Sequence, residues 1–157
     1  MPRVEKDKFY FLFVVLIWGN DLKLLICGSV GYGRIEKIRF LQNYLRENGF
    51  NVIDQFQIEM MDYSEIKDFR DKSELAKMIV KNDLSFIEKC DAIIALCDEP
   101  SFGTAIEIYY AKNIGKTVII LNKQPQPSPW PIAYKDFVAK SDRELLEILW
   151  KLSSGKA

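Results

Sequence analysis

Two carboxylates of this sequence fall where helical spacing would bury them, and their residue types could support acid–base chemistry. Asp83 lies four residues from Ile79 and four from Ile87, inside the apolar stripe of a predicted helix. Glu107 lies on the predicted inward face of the next helix. A carboxylate in either place is costly unless it is paired, hydrogen-bonded or functional. The other residues predicted for the inward face of the second helix are Gly103, Tyr110, Ala111 and Ile114.

Each carboxylate also has a structural interpretation. Glu107 would be an ordinary surface residue if the phase of its helix differs from the predicted one. Asp83 could accept hydrogen bonds from the backbone N–H groups of a neighbouring loop. For Asp83 the sequence favours a functional role, because a second carboxylate follows on the next helix, whereas for Glu107 both interpretations stay open.

The composition restricts the groups that could carry chemistry. The chain has no histidine, which excludes His-based triads, His-ligated zinc and imidazole general bases. Acid–base work must therefore fall to Asp, Glu, Tyr, Lys or Cys. Lys and Arg together number 22, as do Asp and Glu, so no broad basic face is expected for nucleic acid or an anionic membrane.

The three cysteines, Cys27, Cys90 and Cys97, lack the spacing of metal ligands, and we expect neither a metal nor a cofactor. Cys27 and Cys97 each end an apolar run, which is typical of small core residues in a reducing compartment. The sequence therefore favours a cytoplasmic protein.

A glycine-rich turn follows the first predicted strand, Leu22–Cys27, and precedes a helix that ends near Asn48. This is the layout of a phosphate-binding loop, although its glycine spacing fits neither a Walker A loop nor a full dinucleotide fingerprint. The alternative is a turn that needs glycine only for positive φ. The residues of the turn that could hold an anion are Gly28, Ser29, Gly31, Gly33 and Arg34.

A second polar turn, Asp98–Gly103, follows the predicted buried strand Ala92–Leu96. Ser101 is predicted to be the N-cap of the helix that carries Glu107. An anion at this point would meet free backbone N–H groups and the positive end of the helix dipole.

The elements alternate as β-α-β-loop-α-β-α-β-β-α, which predicts a doubly wound α/β domain with a mainly parallel sheet of about five strands. We expect a single Rossmann- or flavodoxin-like domain over residues 22–152, with a frayed tail over 153–157. Ligands of such sheets bind at the carboxyl ends of the strands, where both polar turns lie. Ser29, Arg34, Ser101 and Glu107 should therefore converge, with Asp83 entering from the preceding helix.

Local signals set further expectations. Capping boxes at Asp71–Glu74 and Ser141–Glu144 should begin two helices. Residues 54–70 are predicted to form a long loop with a helical turn at most, of the kind that often acts as a functional lid. The proline-rich segment 122–131 is predicted to be an extended loop, neither helix nor central strand.

The N-terminal stretch, residues 1–21, contains ten consecutive apolar residues, Phe9–Trp18, which are too few to span a bilayer. No small-residue cleavage site follows them. The stretch could be an extra strand, a hydrophobic arm on a partner subunit or an extension outside the domain. We favour an appendage because a complete domain begins just after it.

Three segments together resemble the nucleoside 2-deoxyribosyltransferase superfamily, and more closely its 2'-deoxynucleoside 5'-phosphate N-hydrolase branch. They are the Cys27–Arg34 turn, Asp83-Leu84 ahead of Cys90-Asp91, and Glu99–Glu107 with its Pro-Ser-x-Gly-x-x-x-Glu pattern. The resemblance covers Leu22 to Leu121.

The resemblance implies that Glu107 attacks C1' of deoxyribose and releases the base, leaving a glycosyl ester on the enzyme. It makes Asp83 the carboxylate that helps the base leave and orients the sugar, as in a retaining glycosidase. Water as the second acceptor gives hydrolysis, and another base gives deoxyribosyl transfer. A nucleotide-binding protein that has lost catalysis is the alternative from a different class.

The position six residues before Glu107 distinguishes the branches. Transferases that use unphosphorylated nucleosides tend to carry an aspartate there, whereas this chain has Ser101. Since a carboxylate would repel a 5'-phosphate and a helix-capping serine would accept one, a nucleoside monophosphate is the expected substrate. The expected phosphate site comprises Gly28, Ser29, Gly31, Gly33, Arg34, Ser101 and Gly103.

The chain departs from the family pattern in one respect: the first strand lacks the family's tyrosine, whose place Leu25 or its neighbour takes. Candidates to replace it are Tyr32, Tyr109 and Tyr110. The resemblance also implies a homodimer or larger oligomer in which a loop of one subunit completes the other's site. The proline-rich loop, with Ser128 and Trp130, is the candidate for that role.

Overall fold

Five parallel strands form one sheet in the computed structural model, which describes residues 5–6, 8–10, 12–13, 21–31 and 33–155. The spatial order is β2-β1-β3-β4-β5, a flavodoxin-like order, and every neighbouring pair is parallel. The predicted doubly wound α/β class is confirmed. The strands are β1 (Lys23–Cys27), β2 (Asn51–Val52), β3 (Ala92–Leu96), β4 (Thr117–Leu121) and β5 (Phe137–Ala139).

Helices cover both faces of the sheet, which explains why its strands are almost continuous apolar runs. Successive strand residues point to opposite faces, so Leu24 and Ile26 pack with α1 and α5 while Leu25 and Cys27 pack with α3. The helices are α1 (Ile35–Glu47), α2 (Ser73–Lys89), α3 (Phe102–Asn113), α4 (Pro129–Tyr134) and α5 (Asp142–Ser153).

The chain reverses its winding between β1 and β3, which are neighbours with Cys27 opposite Ala95. The helix after β1 packs on one face, and the helix after β3 packs on the other. Such a switch point leaves a crevice at the carboxyl ends of the two strands, where ligands of these folds bind. Both polar turns of the sequence begin at this edge.

Two local predictions are wrong, both at helix starts. The Asp71–Glu74 capping box does not form, because α2 begins at Ser73 with Lys72 as an N-cap that makes no side-chain bond. Glu74 pairs with Lys77 at 2.7 Å instead. The proline-rich segment is not wholly extended either, since α4 begins at Pro129, and proline fits a first helical turn whose N–H would be free in any case.

Other local predictions are confirmed. Ser141 caps α5, accepting a hydrogen bond from the Glu144 backbone N–H at 3.1 Å. Residues 54–70 contain only two short 3-10 turns, Gln55–Gln57 and Glu59–Met61.

In the N-terminal stretch, residues 5–6, 8–10 and 12–13 are helical, with Phe9 and Phe13 exposed. This conflicts with the extra-strand alternative for those residues, while the remainder of the apolar run lies outside the described residues. Within the described chain, no helix has the length and apolarity needed to cross a membrane.

Candidate active site

Glu107 is buried on α3, with 7 % of its surface exposed, so it is not a surface residue. Ser101 caps the helix as predicted, accepting a hydrogen bond from the Thr104 N–H at 3.3 Å. The predicted inward face is only partly right, because Gly103 and Ile114 are exposed. The buried stripe has the spacing i, i+3, i+4, i+7 and consists of Thr104, Glu107, Ile108 and Ala111.

Asp83, half-buried on α2, lies close to the Glu107 carboxyl of this stripe. It accepts no backbone N–H bond from the described residues, so the loop-pairing alternative does not hold there. Burial first, and the neighbouring Asp83 charge second, raise the pKa of Glu107 well above its ordinary value of 4.5. The raised pKa favours the protonated form of Glu107 over the ionised one.

A third residue, Cys27 at the end of β1, belongs to the surroundings of Glu107. Its thiol is buried, with 2 % of the residue exposed, and lies near the Glu107 carboxyl. Burial and then the Glu107 charge raise the pKa of this thiol, so Cys27 is a neutral S–H donor. The sequence indicated only a core residue, and nothing in its spacing showed that the thiol would lie near Glu107.

Tyr63 is a second residue that the sequence did not identify. It lies half-buried in the long loop after β2, and burial, Glu107 and Asp83, in that order, raise its pKa to about 12. The phenol is therefore neutral and faces both carboxylates. Its position is fixed on one side by the Asp62–Arg39 ion pair at 2.9 Å and on the other by an edge-to-face contact with Phe69.

Tyr109 and Tyr110, two of the three tyrosines proposed as substitutes for the missing family tyrosine, have other contacts. Tyr110 donates a hydrogen bond to Glu88 at 2.7 Å, and Tyr109 is exposed and packs edge-to-face on Tyr134. Tyr32 lies outside the described residues. Leu25 is fully buried beneath α3, on the same face of β1 as Cys27.

Two buried oxygens of α3 lack a hydrogen-bond partner among the described residues: Oγ1 of Thr104 and Oε2 of Glu107. Buried polar atoms of folded proteins are normally paired, and those that are not call for an explanation. One carboxyl oxygen of Glu107 is thus buried without a hydrogen-bond partner among the described residues.

The glycine-rich turn lies at a different part of the edge formed by the carboxyl ends of the strands. Ser29 and Arg34 line a cavity of about 390 Å³ on the α1 side, and its described lining includes neither carboxylate of the pair nor Ser101. Arg34 forms a close ion pair with Glu99, so its charge is partly neutralised. The structure brings Asp83 and Glu107 together directly, whereas it places Ser29 and Arg34 on the wall of a neighbouring cavity.

The glycines of the turn have different roles. Gly33 has φ of +72°, which requires glycine, while a Cβ at Gly28 would come within 3.2 Å of Leu96 and crowd the packing of β1 against β3. Gly31 and Gly103 have open space, apart from the Ser101 Oγ at 4.0 Å from the position of a Gly103 Cβ.

The fold is a doubly wound α/β domain in which half-buried Asp83 lies beside the buried carboxyl of Glu107. The chain belongs to the nucleoside 2-deoxyribosyltransferase family, whose model matches residues 27–144. The resemblance drawn from the sequence is thereby confirmed at the level of the family, and the chain is an enzyme of the deoxyribosyltransferase or N-glycosidase type.

The first of the following two solved structures supports the fold. A 2-deoxyribosyltransferase of Bacillus psychrosaccharolyticus is 17 % identical, with a TM-score of 0.63 over 78 % of this chain and 89 % of the other. The Clostridium botulinum CMP N-glycosidase BcmB is 22 % identical, with a TM-score of 0.49 over 81 % of this chain and 96 % of the other. No curated protein sequence matches the chain significantly.

Proposed function

We propose that the protein hydrolyses the N-glycosidic bond of 2'-deoxynucleoside 5'-monophosphates and releases free base through a deoxyribosyl ester on Glu107. The observation that carries this proposal is the closeness of half-buried Asp83 to the buried carboxyl of Glu107. One proton held by two neighbouring carboxylates can reside on either of them. When it resides on Asp83, Glu107 is a nucleophile and Asp83 is an acid.

The reaction then follows in two balanced steps. Glu107 attacks C1', the bond between C1' and the base nitrogen breaks, and Asp83 gives its proton to the departing base. In the second step Asp83 accepts a proton from water, whose oxygen attacks C1' and breaks the ester to Glu107. Deoxyribose 5-phosphate leaves, and the pair again holds one proton.

The closeness of the carboxylates favours this two-step course over direct attack by water. Inverting glycosidases hold their carboxyl groups roughly 6.5–9.5 Å apart to make room for a water molecule. The Asp83 and Glu107 carboxyl groups lie close together in this protein, which favours a separation shorter than that range.

The 5'-phosphate is proposed to bind at the start of α3 and the glycine-rich turn. The Ser101 oxygen accepts the Thr104 N–H, so the hydroxyl proton of Ser101 remains free to donate to a phosphate oxygen. The helix dipole adds attraction for an anion. Arg34 is proposed to contribute from the wall of its cavity, since a guanidinium has five N–H donors and keeps some of them while paired to Glu99.

Free-base release from a panel of deoxynucleoside monophosphates and deoxynucleosides, with and without an acceptor base, tests the function. We expect release from monophosphates without an acceptor. Ser101→Asp should reduce kcat/KM for monophosphates by about 100-fold through charge repulsion, with a smaller effect on nucleosides. Ser101→Ala, which lacks both the hydroxyl and the charge, is the control.

Other outcomes point to the alternatives. Release from nucleosides only, and only with an acceptor base, would identify a deoxyribosyltransferase and contradict the phosphate site. Binding without release of any base would identify a nucleotide-binding protein that has lost catalysis.

We also propose a homodimer formed through α3 and α4. Their outer faces expose apolar side chains, among them Phe102 at 95 % and Trp130 at 67 %. Between the two helices lies an apolar groove of about 320 Å³, and exposed apolar surfaces of this kind mark interaction sites. In the dimer the loop with Ser128 and Trp130 is proposed to complete the partner's site.

Trp130→Asp is expected to convert the dimer to a monomer, because it places a charge in this apolar face. Sedimentation velocity measures the change. Phe40→Asp, at a similarly exposed aromatic residue on α1, should leave the mass unchanged. A wild-type protein that sediments as a monomer would contradict the proposal.

The cytoplasm is the proposed location. The three cysteines are free and buried, which fits a reducing compartment in which thiols are not paired.

A further inference from the structure

Glu99 joins the two polar turns at the carboxyl edge of the sheet. It lies in the turn after β3, two residues before Ser101, and its carboxylate forms the close ion pair with Arg34 of the glycine-rich turn. Lys37, in the first turn of α1, places its Nζ 3.8 Å from the other oxygen of the same carboxylate. Glu99 therefore faces two cations in the cavity that Ser29 and Arg34 line.

The described lining of this cavity carries more carboxylates than cations. The cations are Arg34, Lys37 and Lys123, and the carboxylates are Glu36, Asp98, Glu99 and Asp142. Asp142 pairs with Lys123 at 2.9 Å, and Asp98 accepts a hydrogen bond from the Lys123 backbone N–H at 2.7 Å. Because those two carboxylates are engaged with the segment after β4, Glu99 is the carboxylate of the described lining that neutralises Arg34.

We propose that Glu99 is a specificity-determining residue: by neutralising Arg34 it limits how strongly the active site prefers a substrate with a 5'-phosphate. The inference rests on the proposed function for the binding of that phosphate beside Arg34. The guanidinium keeps N–H donors while it is paired, but its positive charge is shared with a carboxylate that also repels the incoming phosphate.

A residue of this kind acts on binding and not on the breaking of the glycosidic bond. The 5'-phosphate takes no part in either proposed step, so contacts with it are equally strong in the substrate and in the transition state. Glu99 therefore raises KM for monophosphates without changing kcat, and it also weakens binding of the deoxyribose 5-phosphate product. A deoxynucleoside has no phosphate, so its KM should not depend on Glu99.

The test compares Glu99→Gln with the matched control Glu36→Gln. Both variants remove one negative charge from the lining of the same cavity, but among the described residues only Glu99 pairs with Arg34. Glu99→Gln should lower KM for monophosphates about fivefold, with kcat changed less than about twofold, because a partly exposed ion pair and its repulsion of phosphate are lost. KM for deoxynucleosides should stay the same, and Glu36→Gln should change neither KM.

Equilibrium binding measures the same effect without turnover. In the Glu107→Gln background, in which the proposed ester cannot form, calorimetric titration with a deoxynucleoside monophosphate should give a Kd about fivefold lower once Glu99→Gln is added. When Glu99→Gln is instead added to Arg34→Gln in the same background, the Kd should change by less than about twofold, because the cation through which Glu99 acts is absent.

Two results would overturn the role of Glu99. Monophosphate binding that is unchanged or weaker in Glu99→Gln would show that Glu99 has no part in phosphate binding or that it orients Arg34 for it. An equal gain in Glu36→Gln would show a general effect of charge in the cavity.

The outcomes also separate this inference from the proposed function. Base release from monophosphates that does not depend on Glu99 would leave the proposed function in place and overturn the inference. Tighter monophosphate binding in Glu99→Gln, without base release by the wild type, would overturn the proposed function and keep the role of Glu99. Absence of monophosphate binding in every variant would overturn both.

Discussion

Glu107→Gln is expected to lower base release by about 10^4-fold or more, because an amide cannot form the ester to C1'. Nucleotide affinity should change little, since the proposed phosphate contacts come from other residues. Acid-quenched wild-type protein should carry a deoxyribosyl phosphate adduct by intact-mass spectrometry, and the variant should carry none. Glu88→Gln, at an exposed α2 carboxylate bonded to Tyr110, is the control and should keep full activity.

The same variant changes the pH dependence of stability. The pKa of Glu107 is raised in the folded state above its ordinary value of 4.5, so the folded protein binds this proton more tightly than the unfolded chain does. The wild-type free energy of unfolding should therefore fall as pH rises from 4.5 through the raised pKa. In Glu107→Gln this decline should be absent in urea titrations.

An adduct on a different residue, or full turnover by the variant, would contradict the assignment of Glu107 as the nucleophile.

Asp83→Asn is expected to lower kcat by about 10²–10⁴-fold, because the base then departs without a proton donor. The loss should be greatest for the bases that are poorest leaving groups, which chromatographic assays across the panel measure. Removing the Asp83 charge also removes a cause of the raised pKa of Glu107. The acidic limb of the pH profile of kcat should accordingly move to lower pH.

Glu74→Gln is the matched control for this variant, since Glu74 is an exposed carboxylate of the same helix, paired with Lys77. Its kcat and pH profile should equal those of the wild type. Equal loss of rate for good and poor leaving groups in Asp83→Asn would show that Asp83 does not protonate the base.

The strands and several caps could be read from the sequence, because their causes are local. The apolar run Ala92–Leu96 is a strand with the predicted bounds, and Ser101 and Ser141 are the predicted caps. The predictions for the segments in which α2 and α4 begin were wrong, and the causes are local there as well. The N-cap of α2 is Lys72, one residue after the predicted Asp71. Ser128 can begin α4 within a proline-rich segment because proline is tolerated in the first turn of a helix.

By itself, the sequence determined the α/β class, the two carboxylates and the two polar turns, since periodicity and turn chemistry are properties of short segments. Only the tertiary structure decided that Asp83 and Glu107 lie close together, and that Cys27 and Tyr63 face the same carboxyl. These residues come from four separate elements, and their meeting depends on strand order and on the rotation of α2 and α3 against the sheet. Packing of the whole core fixes that rotation, so no short stretch of the sequence encodes it.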